Sequence, residues 1–185
     1  MNVFNQLAAS MHARLGEEDP RLFALADYLR LVLRCGNVDK LSVHEEFLLL
    51  QSYIQLVARN RPIDLSFEFS PGAEEEGGHG RLVQRHLACD LVGAVLKALP
   101  GGGASATRLR IGFENGGPGC AYVLHASLVC PDAAEFERRL RNELDGMADR
   151  FDLPGGGPKQ SYGRSGTHVT WSATVVGQPA YQGAV

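Results

Sequence analysis

The chain has 185 residues, 44% of them hydrophobic and 21% charged, with a formal net charge of -3. This length and balance suit one globular domain, or a small helical module joined to one, and exclude a disordered or fibrous chain. The mildly acidic balance argues against nucleic acid or an anionic membrane as main partner, and the absence of a membrane-length apolar run or a secretory signal leads to the expectation of a cytoplasmic protein.

From the start of the chain, Val3, Phe4, Leu7, Met11 and Leu15 recur at helical spacing and predict a helix over 3–15. Gly16 and the acidic stretch after it end that helix. Asp19 offers an N-cap with Pro20 at the first helical position, and Leu22, Phe23, Leu25, Ala26, Leu29, Val32 and Leu33 give the second helix an apolar side. Gly36 and Asn37 stop it. Two helices on a short loop form an antiparallel hairpin with more apolar surface than it can cover, so a homodimer built as a four-helix bundle is expected. Ser42 and Glu45 set a capping box for a third helix, which Arg61-Pro62 closes.

The texture then changes. Residues 63–69 (I-D-L-S-F-E-F) alternate as a half-buried strand does, and 70–80 form a polar, glycine-rich loop. Residues 82–99 read as one helix, stopped by Pro100 and three glycines. A strand over 109–113, the turn E-N-G-G-P-G and a strand over 122–129 make a hairpin. Asp132 and Glu135 repeat the capping pattern ahead of a charged helix over 133–151, whose opposite charges at three- and four-residue spacing describe a solvated face. Residues 153–166 read as a loop, 168–176 as the last strand with Trp171 in the core, and the tail as loose.

The expected fold class is therefore α/β of the α+β kind: a helical hairpin followed by a two-layer sandwich with a mixed sheet and helices on one face. The division is 1–40 for the dimerising hairpin, 41–62 for a linking helix, 63–177 for the sandwich and 178–185 for the tail. The cysteines, Cys35, Cys89, Cys120 and Cys130, form no C-x-x-C pair, so reduced, buried thiols are expected and zinc is not.

The order of elements, with particular residues, resembles the LytS-type sensor histidine kinases. Val3-Phe4-Asn5-Gln6-Leu7 is similar to the L-F-N-x-L part of that family's P-H-F-L-F-N-x-L-N, 25–34 to its L-x-x-L-L-R-Y run, and 41–59 to its L-x-x-E-L-x-x-L-x-x-Y-L-x-I-x-x-x-R, with Leu41, Glu45, Tyr53, Ile54 and Arg59 or Arg61 among the matches. Gly166-Thr167 before a strand resembles the family's closing G-T. The resemblance implies a dimerisation hairpin and a GHKL-type ATPase domain, with a response-regulator receiver domain or another histidine kinase as partner.

The departures fall on the chemistry. By register the family's phosphorylated histidine falls on Met1. The N-box motif L-V-E-N-A-I-K-H is replaced by Leu91-Val92-Gly93-Ala94-Val95-Leu96-Lys97-Ala98, so Gly93 stands for the acid and Ala94 for the magnesium-holding asparagine. Neither side chain offers magnesium an oxygen. The D-x-G place carries Asp132 with no glycine after it, and the lid glycines G-x-G-L are absent. With these losses the resemblance implies a degenerate scaffold that uses no ATP and no other cofactor or metal. It would act as a pseudokinase or adaptor through contacts made near Phe4, Leu7 and Met11.

The alternatives are a histidine phosphotransferase and a divergent active kinase. A transferase needs an exposed histidine. His12 lies within about 20° of the helix face on which Met1 stands, and His44-Glu45 is a histidine–acid pair of the kind in which the acid activates the ring. His12 and His44 are thus the phosphoacceptor candidates, each with an ordinary surface histidine as the plainer explanation. His79, His86 and Cys89 lack the spacing of a metal site.

Overall fold

The computed structural model describes residues 20–60, 64–69, 81–99, 108–115, 120–148 and 158–179. In chain order these form α1 (Pro20–Arg34), β1 (Lys40–Ser42), α2 (Val43–Asn60), β2 (Asp64–Phe69), β3 (Arg81–Gln84), α3 (Leu87–Ala98), β4 (Arg108–Asn115), β5 (Tyr122–Val129), α4 (Ala133–Ala148), β6 (Lys159–Ser165), β7 (His168–Val175) and β8 (Gln178–Pro179). The main sheet has the order β2-β4-β5-β7-β6, with β2 and β4 parallel and every other pair antiparallel. This is the expected α+β sandwich with a mixed sheet.

Alternation along the central strands builds the core. Leu109, Ile111 and Phe113 of β4 oppose Leu128, Ala126 and Leu124 of β5. The last two in turn oppose Trp171 and Ala173 of β7. All are buried, so one face of the sheet is apolar by period-two patterning. Large faces small where Trp171 meets Ala126. Phe113 stacks on Tyr122 with ring centroids 4.6 Å apart, and Phe47 of α2 reaches Phe113 at 5.5 Å. That aromatic chain fastens α2 to the sheet.

The helix starts follow the sequence closely. Ser42 and Glu45 form the capping box: Glu45 N–H donates to Ser42 Oγ at 3.2 Å, and Ser42 N–H donates to Glu45 Oε2 at 2.9 Å. α1 begins at Pro20, as the proline predicts. Along α4, Glu135 is held by Arg138 and Arg139, and Glu137 by Arg141, all on the solvated side.

Several expectations are corrected. The helix expected over 82–99 starts only at Leu87, and Arg81–Gln84 is a strand paired antiparallel to β1. The break is at His86, which has a left-handed φ of 65° and cannot continue a helix. The loop expected over 153–166 contains β6, an exposed polar edge strand with no apolar alternation to betray it. Gln178–Pro179, expected to be loose, pairs with β3 in a three-stranded sheet β1-β3-β8. Of the cysteines, Cys89 and Cys130 are buried but Cys35 and Cys120 are half-buried; all four are free.

Candidate functional site

α3 occupies the position at which the sequence suggested a nucleotide-binding helix. It packs against α2 and α4, and it is buried on nearly every side: Leu87, Ala88, Cys89, Leu91, Val92, Ala94, Val95, Leu96 and Ala98 are all in the core. What remains is the stripe Asp90, Gly93, Lys97, whose spacing of three and four residues places it on one face. Ala94, which the sequence resemblance set against an asparagine, is 2% exposed. Gly93, in the place of the acid, is half-buried, and a side chain there would meet the Tyr53 hydroxyl of α2 first, at 3.5 Å. Lys97 reaches Glu143 of α4 at 3.8 Å.

Tyr53 in turn lies against Tyr28 of α1, with centroids 6.0 Å apart. Burial pushes the Tyr28 phenol well above its ordinary value, so it stays neutral. The α1–α2 pair thus covers the flank of α3 with neutral aromatic groups. Lys97 is the cation on that α3 stripe among the described residues, and it is turned toward Glu143 of α4.

The N-terminal end of α3 is held by a residue that belongs to none of the sequence motifs. Glu46 of α2 is completely buried; its Oε1 accepts the Ala88 N–H at 2.7 Å and its Oε2 accepts the His86 N–H at 3.0 Å. The signal was available: an acid stands three and four residues before Leu49 and Leu50, inside the apolar stripe of an amphipathic helix. A buried acid in such a stripe requires donors. Glu45, the neighbouring acid that the sequence placed in the capping box, caps α2 with Ser42.

Asp132 is exposed at the start of α4, where its carbonyl accepts the Phe136 N–H at 3.0 Å. It borders an open depression of about 530 Å³ shared with Glu135, Arg138 and Arg164. His44 is exposed in the first turn of α2. His12, Phe4, Leu7 and Met11 lie outside the described residues, as does His79.

The face of the sheet turned away from the helices is polar. It carries a shallow cleft of about 420 Å³ floored by Gly112, His125, Ser127, Thr170 and Ser172. There His125 Nε2 lies 3.2 Å from Glu114 Oε2, Ser127 Oγ lies 2.8 Å from His168 Nε2, and Arg110 Nε lies 3.2 Å from Glu68 Oε1. These contacts run between neighbouring strands, although His125 Nε2, for all its closeness to Glu114, makes no hydrogen bond among the described residues. Among the described residues no group of three or more His, Cys, Asp or Glu side chains could hold a metal ion, and no helix is long and apolar enough to cross a membrane.

No protein-family model and no curated protein matches the chain. Among solved structures it is similar to the histidine kinase ThkA, in a crystal structure of its complex with the response regulator protein TrrA. That likeness has 13% identity and a TM-score of 0.49, covering 95% of this chain and 58% of that one. It is also similar to the Acinetobacter baumannii histidine kinase AdeS, with 8% identity and a TM-score of 0.40, covering 94% of this chain and 93% of that one. The chain thus spans little more than half the length of the ThkA chain. Likenesses this loose carry no argument about chemistry.

Proposed function

We propose that this chain is a signalling protein with a histidine-kinase-like scaffold that works by contact and does not use ATP. One observation carries the reading: the place of the magnesium-holding asparagine is taken by Ala94, a methyl group sunk in the core of α3 at 2% exposure. A hydrocarbon side chain supplies no ligand to a hard cation, and the helix around it is committed to packing. Gly93 beside it offers no side-chain oxygen either.

The partner, on this reading, is a receiver domain of a response regulator or another histidine kinase, and the chain acts as a homodimer. The support is the resemblance in element order and motif spacing, together with the apolar residues left on α1 after its packing against α2. Phe23 and Leu33 are 44% and 55% exposed there, and an exposed apolar stripe on a helix suits a partner. Phe4, Leu7 and Met11, the contact residues suggested by the sequence, lie outside the described residues.

The second reading, a histidine phosphotransferase, is favoured by the exposed His44 at the start of α2, with His12 as the other candidate. The experiment addresses both. The purified chain is incubated with a phosphorylated receiver domain, and complex formation and acid-labile label are followed. Binding without label is expected. Label lost in His44→Ala or His12→Ala would replace the adaptor with the transferase, and absence of both binding and label across a panel of receivers and kinases would remove the proposal.

A further inference from the structure

Glu46 ties two parts of the fold together. It belongs to α2, yet both its oxygens are spent on backbone amides at the start of α3, across 40 and 42 residues of chain. α3 has no cap of its own: His86 stands at the N-cap with φ 65° and makes no side-chain capping bond. A helix start leaves N–H groups unpaired unless something supplies acceptors, and here the supplier is another helix.

The surroundings give the carboxylate little help in staying charged. Arg85, in the turn before α3, is the cation facing it, but its guanidinium is engaged by the Gly36 carbonyl and by His86 Nε2. Asp90 of α3 opposes the charge. Tyr28 of α1, Cys35 just after α1, Cys89 of α3 and Tyr122 of β5 also face it; all four are pushed up by burial and stay neutral. The Tyr122 hydroxyl is fully buried without a hydrogen-bond partner among the described residues. His86 is likewise held toward its neutral form by burial and by Arg85.

We infer that Glu46 is a pH-gated clasp, whose proton sets how tightly the α1–α2 pair grips the start of α3, closing in acid and loosening as the pH rises toward neutrality. The inference stands independently of the signalling reading. Burial pushes the carboxyl from 4.5 up to about 7, against the pull of the two amides. A carboxyl that binds its proton more tightly when closed than when open favours the closed form most below 4.5. It loses that advantage between 4.5 and 7, and changes no further above.

The test is amide hydrogen exchange on the full chain at pH 5 and pH 8, read as protection factors for His86 and Ala88 after correction for intrinsic exchange. From the rise to about 7, protection is expected to fall about 70-fold between these pH values in the native sequence. Glu46→Gln, which keeps an acceptor but cannot titrate, should be flat. Asp90→Asn should move the midpoint to lower pH by removing the opposing charge. Flat protection in the native chain, or an undiminished fall in Glu46→Gln, would overturn the inference. Should Glu46→Gln not fold, an unmoved midpoint in Asp90→Asn would overturn it equally.

Discussion

Restoring the asparagine at position 94 separates a pocket from a packed core. Ala94 is 2% exposed, between buried Val92 and Val95 on a helix enclosed by α2 and α4. Ala94→Asn adds a carboxamide with two donors and an acceptor. Left unpaired in the core, that group costs about 1–3 kcal/mol, and forcing the extra atoms into a packed space costs a further ~1–3 kcal/mol. The combined loss of about 2–6 kcal/mol lowers the melting temperature of a chain this size by roughly 4–24 °C. The assay is thermal unfolding of both proteins with and without magnesium and ATP. A large fall in Tm that nucleotide does not restore is expected. An unchanged Tm, or a magnesium-dependent gain in the variant, would mean that position 94 faces a usable pocket.

Other expectations rest on particular contacts. At Gly177 a side chain would meet Ala121 Cβ at 2.9 Å, Arg81 Cβ at 3.0 Å and the Leu82 carbonyl at 3.3 Å, so Gly177→Ala should destabilise by about 1–3 kcal/mol in urea titration, with the β3–β8 pairing lost first. Trp171→Ala removes a fully packed indole, and a loss of about 3–5 kcal/mol is expected by the same measurement. Urea titrations between pH 4.5 and 8 should show stability falling by up to about 3 kcal/mol as the pH rises to 7, the contribution of Glu46. Glu46→Gln should flatten that slope, and a native chain that instead gains stability over this interval would contradict the buried proton.

Much of the fold was legible because short-range chemistry and tertiary packing agree. Pro20 and the Ser42–Glu45 box fixed two helix starts, and the strict alternation from His168 to Val175 fixed the central strand β7. The failures lie where the signal was long-range. β1 and β3 are short strands stabilised by pairing with each other, and Leu82 and Val83 look helical when read with the apolar run after them. Only Arg85 and the left-handed His86 separate the strand from α3, and no residue type announces that conformation. β6 is polar because it lies at an exposed edge, so its identity rests on hydrogen bonds to β7. At the candidate site, the sequence resemblance set Gly93 and Ala94 against an acid and an asparagine. The burial of Ala94 and the turning of Glu46 toward the amides of His86 and Ala88 depend on how α2 lies across α3, which local patterning does not encode.

The most direct measurement is the melting temperature of the full chain in millimolar ATP with magnesium. A site with a dissociation constant a hundredfold below the ligand concentration would stabilise the fold by about 2.7 kcal/mol, an increase of roughly 5–10 °C. No increase is expected. A saturable increase that requires magnesium would contradict the claim that the scaffold around Ala94 has given up nucleotide.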